Sequence, residues 1–402
     1  MKVSKTAPSD NLRPRLGERL LFPGLQPRAY LAHCSISPVS VRIRQRLEEV
    51  LRSYEQLGAL AFERWLPYRD VLRQRLARLS GAVPQNIALI PNTTQGVLSV
   101  ALCFPWQRGD RILTFAGEFP ANVTPWQRAA ELYGLDLQFL PLAAQAQPDV
   151  LGALESALQD SSRGDVRLLA VSLVQFQSGL LMPIRAIAEL CHRYGAAVCV
   201  DGIQGVGAVE CRALEWGIDF LACGSHKWLM GVEGAGFLYI AEEWLPRLRQ
   251  VMAGWLSHER TFDFLHEPEG GKLDYARPLR RDATFVELGT GNTLGYVALE
   301  AAAEVLEELG RGNIYDHICA YNDRLEEGLI DRGFTSMRSR PASGILSLIP
   351  PAGGLNTVQW VSALAERGVI CSNPDGYLRF APHWHNSLDE VDYVLECIDA
   401  LM

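Results

Sequence analysis

Lys227 is the residue of this chain with the clearest potential for covalent chemistry. It follows an apolar run in the segment ACGSHKW (222–228), which is typical of a buried strand that ends in a turn. Open α/β sheets bind ligands beyond the carboxyl ends of their strands. Taken alone, the segment fits a lysine on a solvated loop better, but three further segments predicted at the same edge favour a reactive lysine.

Asp201 ends a second apolar run, in the segment AVCVDGIQ (197–204). A carboxylate at such a place needs a cation or hydrogen-bond donors, because burial of an unpaired charge is costly. A protonated pyridine nitrogen is one candidate partner. The alternative interpretation is an aspartate that caps the following helix.

Two further segments, PNTTQGV (91–97) and AGEFPAN (116–122), carry groups that suit a phosphate and a flat ring. Backbone N–H groups at a helix start, with the hydroxyls of Thr93 and Thr94, form an anion site that fits a monophosphate. An ordinary helix N-cap is the alternative. Phe119 can stack on a ring, or it is a plain core aromatic.

The glycine-rich fingerprints of other phosphate-containing cofactors do not occur in the sequence. No GxGxxG opens the first βα unit and there is no GxxxxGK[ST], which disfavours dinucleotides and nucleoside triphosphates. An acid for a ring nitrogen, a lysine for an aldehyde and an anion site together describe pyridoxal 5′-phosphate (PLP).

Composition and charge limit the function classes further. The chain has 402 residues, 48% hydrophobic and 21% charged, so we expect a large core and exclude disorder. A net charge of −8 gives no reason to bind nucleic acid or an anionic membrane. No apolar stretch is long enough to span a membrane, and we expect a soluble, cytoplasmic protein. Nine cysteines without a CxxC, and one close histidine pair (His383 and His385), predict neither disulfides nor a metal site.

From about residue 85, short β-rich runs alternate with helical patterns, which is typical of parallel strands joined by crossover helices. The predicted fold class is α/β: a mostly parallel seven-stranded sheet between helices, with a smaller α+β C-terminal domain. The predicted strands of the sheet are 87–90, 111–115, 135–140, 167–173, 197–201, 220–223 and 236–240. The predicted helices are 94–103, 121–133, 150–159, 184–194, 242–252, 294–309 and 315–332, and the smaller domain ends with strands 345–349, 369–371 and 377–380, a helix near 358–367 and a closing helix from Leu388.

The order of five short motifs resembles the class V aminotransferase family of fold-type I PLP enzymes. The motifs are TTxG, EFPAN, DGxQ, SHKW and GTxN, and the likeness runs from about residue 30 to the end. The family includes cysteine desulfurases, selenocysteine lyases, kynureninases and isopenicillin N epimerase-like proteins.

The resemblance implies a role for each matching residue in binding PLP. Lys227 would form the internal aldimine, and Asp201 would keep the pyridine nitrogen protonated so that the ring accepts electrons. Gln204 would hydrogen-bond the ring oxygen beside the aldehyde, and Phe119 would stack on the ring where many relatives have histidine. The phosphate would be bound by hydroxyl, amide and imidazole groups of Thr93, Thr94, Gln95, Ser225 and His226. Thr290 would reach the phosphate of a neighbouring subunit, which implies a homodimer with shared sites.

Two residues match the substrate side of the site. Arg379, in YLRFAPH (377–383), resembles the family arginine that binds the substrate α-carboxylate, and a guanidinium fork suits a carboxylate. A structural arginine at a sheet edge is the alternative. Trp255, in GWLSH (254–258), resembles a tryptophan that borders the pocket of kynureninase-type members, although a packing tryptophan fits the segment equally.

The chain departs from the desulfurases at two places. Phe176 occupies the place of an asparagine near the ring, and the segment SNPDG (372–376) is short where desulfurases carry a loop with a nucleophilic cysteine. The nearest cysteine, Cys371, lies in an apolar run, and we expect it to be buried. A persulfide mechanism is therefore disfavoured, with an exposed Cys371 thiolate as the alternative.

These observations predict a PLP-dependent enzyme that takes an amino acid as external aldimine and deprotonates Cα with Lys227 as the base, in the manner of a class V aminotransferase. The alternatives are a Cβ lyase of the kynureninase type or of the cysteine desulfurase and selenocysteine lyase type, and a non-catalytic PLP-fold binding protein. The predicted domains are an N-terminal arm (1–28), a large PLP-binding domain (29–285) and a small domain (286–402) against which the arm packs.

Overall fold

Seven strands form a mostly parallel central sheet. The computed structural model describes residues 12–142, 148–263 and 276–402, so residues 1–11 of the predicted N-terminal arm lie outside the described residues. The strands are β1 (Ala29–Tyr30), β2 (Ile87–Ile90), β3 (Arg111–Phe115), β4 (Asp136–Leu140), β5 (Val166–Ser172), β6 (Ala197–Asp201), β7 (Phe220–Gly224), β8 (Gly236–Ile240), β9 (Thr335–Ser336), β10 (Leu346–Ile349), β11 (Val369–Ile370) and β12 (Leu378–Phe380). The order in the central sheet is β2-β8-β7-β6-β5-β3-β4, and β8 is antiparallel to both of its neighbours.

Helices cover the sheet, and β2, β3, β6, β7 and β8 are buried at every position. Burial on both faces explains why these strands read as continuous apolar runs. The helices are α1 (Val41–Leu57), α2 (Ala59–Trp65), α3 (Tyr68–Ser80), α4 (Thr93–Cys103), α5 (Thr124–Tyr133), α6 (Val150–Gln159), α7 (Ile184–Arg193), α8 (Thr293–Leu309), α9 (Arg311–Ile330), α10 (Thr357–Glu366) and α11 (Glu390–Asp399).

Prolines account for the two helix predictions that differ most from the structure. The predicted helix 242–252 is wrong: only a 3₁₀ turn at Glu242–Trp244 forms, because Pro246 has no N–H for a continuing helix. The predicted helix 121–133 is divided, with a 3₁₀ turn at Pro120–Asn122 before α5. Pro125 lies in the first turn of α5, where a missing N–H costs nothing. No helix or strand was predicted within residues 29–84, where α1, α2 and α3 lie.

A second hydrophobic core lies in the C-terminal third of the chain. It includes side chains of α9, α10, α11, β10 and β12, together with Ala29 and Leu31 from the beginning of the described chain. The strands β1 and β11 pair in parallel, and Arg19 forms an ion pair with Glu390 at 3.1 Å. The described part of the N-terminal segment therefore packs on the smaller part, whereas α8 packs against α1 and α3 of the larger part. The domain boundaries themselves stay a prediction.

Within the described ranges, no helix is both long enough and apolar enough to cross a membrane.

Candidate active site

Lys227 and Asp201 meet at the carboxyl edge of the central sheet. Asp201 ends β6 and is in register with Ala222 of β7, and Lys227 lies three residues beyond the end of β7. Burial raises the pKa of Asp201 to about 7, and the charge of Lys227 opposes that rise. Burial lowers the pKa of Lys227, against the effect of Asp201. A lysine with a lowered pKa is better suited to accept a proton near neutral pH.

Asp201 has the surroundings that a cationic ring nitrogen requires. Its side chain is 2% exposed and accepts the backbone N–H of Ile203 at 2.9 Å. Among the residues that the structure describes, it forms no ion pair with an arginine, lysine or histidine. A buried carboxylate with one donor has capacity for a further N–H donor, and the protonated pyridine of PLP fits that requirement.

The start of α4 separates its two threonines into different roles. Thr93 is buried, and its hydroxyl oxygen accepts the N–H of Gly224 at 2.9 Å. Asn92 caps the helix by accepting the N–H of Gln95 at 2.9 Å. Thr94 is exposed beside them. Thr93 thus ties α4 to the end of β7, whereas the hydroxyl of Thr94 is accessible to an anion.

We expect Thr93→Val to lower the free energy of unfolding by about 1–3 kcal/mol, because the buried N–H of Gly224 loses its acceptor. Urea unfolding without PLP measures this change. The matched control is Thr94→Val, which we expect to change the free energy of unfolding by less than about 0.5 kcal/mol and to weaken PLP binding instead. Equal stability of Thr93→Val and the wild type would show that the bond to Gly224 has no structural weight.

Phe119 lies next to Lys227 and packs against Phe176. Phe119 is 42% exposed, and its ring meets that of Phe176 edge-on, with the centroids 5.2 Å apart. Lys227 Nζ lies 5.5 Å from the centroid of the Phe119 ring. The exposed ring beside the lysine can therefore contact a planar cofactor, and Phe176 supports it from the side.

Arg379 lies in β12 with part of its guanidinium already bound. Nε donates to Ser372 Oγ at 3.0 Å, and Nη1 donates to the carbonyl of Phe176. For Nη2, no hydrogen-bond partner occurs among the described residues. The charge of Arg379 contributes to the lowered pKa of Lys227, which places it near the lysine. Held on two sides, this guanidinium is preorganised to bind a carboxylate through its remaining N–H groups.

Three other predicted cofactor ligands make contacts within the chain. Gln204 donates to the carbonyl of Cys34 at 2.9 Å and accepts the indole N–H of Trp228 at 3.0 Å. Ser225 is buried, and its hydroxyl donates to the carbonyl of Val232. His226 is half-buried, and burial lowers its pKa. Their predicted contacts with the ring and the phosphate stay predictions.

Thr290 and Trp255 both lie close to Gly289 in the structure. Thr290 is exposed and lines a cavity of about 250 Å³ that Gln95 also lines. Trp255 is 43% exposed and packs edge-on against Phe262, with the centroids 5.7 Å apart; its indole also borders Gly289. The structure therefore brings Thr290 and Gln95 to one cavity, and no described contact joins Trp255 to Lys227 or Arg379.

The expectation for Cys371 is confirmed. Its side chain is 7% exposed, and burial raises the pKa of its thiol well above the ordinary value. A thiol that stays protonated is a poor nucleophile. Sulfur transfer through Cys371 is correspondingly disfavoured.

Sequence reasoning missed a buried histidine cluster beneath Trp228. His33 Nε2 and His385 Nε2 lie 3.0 Å apart, and His383 Nε2 lies 3.0 Å from the carbonyl of Trp228. Burial lowers the pKa of all three rings, that of His383 to about 4. The sequence pair 383 and 385 was one signal, but His33 is distant in sequence. No group of side chains in the described ranges, this cluster included, has the geometry of a metal site.

We expect these three histidines to remain neutral at pH values at which an exposed histidine is protonated. Because the folded chain binds their protons more weakly than the unfolded chain, falling pH below about 6.5 favours unfolding through them. Histidine ring signals in NMR spectra, assigned by single His→Gln substitutions, measure the effect. His192 is the internal control, because its hydrogen bond to Asp219 raises its pKa. Titration of the three buried rings together with His192 would contradict the assignment.

Comparisons with known proteins agree with this architecture. A sequence profile described as aminotransferase class V matches residues 53–376. An uncharacterised aminotransferase of Bacillus subtilis is 27% identical over 396 residues, covering 95% of this chain and 96% of that protein. A kynureninase of Koribacter versatilis is 26% identical over 381 residues, covering 88% of this chain and 85% of that protein.

Two solved structures share the fold. The cystine C–S lyase C-DES, in complex with its product cysteine persulfide, has a TM-score of 0.84 and 23% identity, covering 93% of this chain and 98% of that chain. The cysteine desulfurase CsdA of Escherichia coli has a TM-score of 0.80 and 24% identity, covering 95% and 97%. The predicted fold class is confirmed.

Proposed function

The chain belongs to the class V aminotransferase family, and on that premise we propose that Lys227, Asp201 and Arg379 form the active site of a PLP-dependent enzyme that acts on an amino acid. The observation that carries this proposal is the pair of Lys227 and Asp201 at one sheet edge. One offers an amine with a lowered pKa, and the other a buried carboxylate without a cation in the described part of the chain.

Each of the three residues has its own role in the proposed reaction. When bound, PLP supplies an aldehyde carbon that bonds amino groups and a ring that stabilises negative charge at Cα. Asp201 keeps the ring nitrogen protonated by accepting its hydrogen bond, and Lys227 Nζ accepts the proton from Cα. Arg379 binds the substrate carboxylate and so orients the Cα–H bond toward Lys227.

The proposed reaction is amino-group transfer, and a Cβ lyase is the second candidate. The buried thiol of Cys371 disfavours the desulfurase branch. The edge-on pair of Phe119 and Phe176 gives the site an apolar wall, which favours substrates with an apolar or aromatic side chain. That wall supports a kynureninase-like lyase as well as an aminotransferase.

A homodimer in the cytoplasm completes the proposal. Thr290 is exposed, and the cavity it shares with Gln95 opens near the start of α4. A second copy of the chain that brings its own Thr290 to this region would add a hydroxyl to the phosphate site. Size-exclusion chromatography with light scattering tests the dimer.

A panel of amino acids tests the proposed reaction. The purified chain with PLP is incubated with each one, and keto acid, alanine, sulfide and ammonia are measured. We expect keto acid without free ammonia or sulfide, because transfer leaves the amino group on the cofactor. Alanine released from an aromatic substrate, or keto acid together with free ammonia, would support a lyase instead. No product from any member of the panel, together with no visible absorbance of bound PLP, would overturn the proposed function.

A further inference from the structure

Glu118 is a buried carboxylate beside the proposed active site. It lies beyond the end of β3 and is 7% exposed. Its Oε1 accepts the backbone N–H of Ser172 at 2.8 Å and the side-chain N–H of Gln175 at 2.7 Å. Its Oε2 accepts the hydroxyl of Ser172 and the side-chain N–H of Asn122 at 3.1 Å. One side chain thus joins the segments that follow β3 and β5.

Burial raises the pKa of Glu118, but the four donors around it oppose that rise and match its ionised form. Trp126 Nε1 donates to Asn122 Oδ1 at 3.2 Å, so the NH₂ group of Asn122 must face Glu118. All four contacts therefore donate to the carboxyl oxygens. A protonated carboxyl group would have to turn the hydroxyl of Ser172 away, whereas a carboxylate accepts from all four donors.

The residues next to this network carry side chains of the proposed active site. Phe119 directly follows Glu118 in the chain, and Phe176 directly follows Gln175, which also belongs to the network. The rings of Phe119 and Phe176 pack against each other. The carbonyl of Phe176 accepts from Arg379 Nη1. Lys227 Nζ lies 5.5 Å from the centroid of the Phe119 ring. The network therefore holds the backbone segments that carry Phe119 and Phe176, and through the Phe176 carbonyl it also contacts Arg379.

We propose that Glu118 is a positioning residue that sets the spacing between the Phe119 ring and the Arg379 guanidinium. Glu118 accepts a hydrogen bond from Gln175, and the next residue, Phe176, accepts a hydrogen bond from Arg379 through its carbonyl. The proposal rests on the proposed function, because the two positioned groups are those assigned to the cofactor ring and the substrate carboxylate.

Two single variants break the network in opposite ways, and their combination restores it. In Glu118→Gln, the new NH₂ group faces the NH₂ group of Asn122. In Asn122→Asp, two carboxylates face each other without a cation. In the double variant, the amide at position 118 donates to the carboxylate at position 122, which still accepts from Trp126. The double variant has the same net charge as the wild type, with the charge moved by one side chain.

The dissociation constants for PLP and for L-alanine as the probe amino acid are measured by absorbance titration for all four proteins. We expect each single variant to raise both constants by about tenfold or more, the effect of one lost hydrogen bond to a charged group. We expect the double variant to return within about threefold of the wild type. Thermal unfolding without PLP shows separately how much each variant alters folding.

The outcomes separate positioning from a purely structural role. Single variants that unfold more easily, yet bind PLP and L-alanine with wild-type constants once folded, overturn the proposal. A double variant that stays as weak as the single variants also overturns it, because the charge rather than the hydrogen-bond geometry then matters. Wild-type chain that binds no PLP overturns the proposed function and the positioning role together. Wild-type binding with unaffected single variants overturns the positioning role alone.

Discussion

Lys227→Ala is expected to lower the rate of Cα proton exchange on an amino-acid substrate by about 10³-fold or more. A positioned acid–base group contributes about 10²–10⁴ to a proton transfer, and this variant also removes the amine that bonds to PLP. Deuterium incorporation at Cα in D₂O, followed by NMR, measures the rate whichever reaction follows.

The control for this variant is Lys272→Ala, which removes a lysine outside the predicted site. We expect it to exchange the Cα proton at the wild-type rate. We also expect Lys227→Ala to bind PLP without a covalent bond, because the groups assigned to the ring and the phosphate remain. Wild-type exchange in Lys227→Ala would remove this lysine from the reaction.

Arg379→Ala is expected to raise the dissociation constant of the amino-acid substrate roughly 30-fold to 4 × 10³-fold. Truncating one partner of a buried, hydrogen-bonded charge pair costs about 2–5 kcal/mol, and every 1.4 kcal/mol is about tenfold in affinity. The Phe176 carbonyl also loses its donor, so part of the effect is a loss of order at the aromatic pair. Titration of the PLP-loaded variant with the amino acid measures the constant.

The matched control is Arg324→Ala, because Arg324 lies on the same part of the chain in an exposed ion pair with Asp392. Exposed pairs of this kind contribute little, so we expect wild-type affinity. PLP binding should be the same in both variants. An unchanged dissociation constant in Arg379→Ala would exclude Arg379 from the substrate site.

The sheet was accessible to sequence reasoning because its signals are local. The predicted strands 87–90, 111–115, 197–201 and 236–240 have the observed bounds, since strands that are buried on both faces read as short apolar runs between turns. Lys227 and Asp201 were predicted as site residues for the same reason, because Asp201 ends such a run and Lys227 lies three residues beyond one. The wrong helix prediction at 242–252 shows the limit of this approach. The spacing of its apolar residues is that of a helix, but Pro246 prevents the helix from continuing.

The contacts that specify the site join residues far apart in sequence, and no local pattern encodes them. Gln204 pairs with the Cys34 carbonyl, and Glu118 gathers donors from Ser172 and Gln175. Thr93 and Thr94 are adjacent and chemically identical, yet Thr93 is buried and has a structural hydrogen bond, whereas Thr94 is exposed. Sequence reasoning predicted the chemistry of this sheet edge, and only the fold shows which side chains already have hydrogen-bond partners within the chain.

PLP is expected to bond to Lys227, and borohydride reduction followed by peptide mass spectrometry locates that bond. The wild-type chain is loaded with PLP, reduced and digested. We expect the cofactor on the peptide that contains Lys227 and on no other lysine. Attachment at Lys2, Lys5 or Lys272, or no attachment under conditions that saturate PLP absorbance, would contradict this expectation.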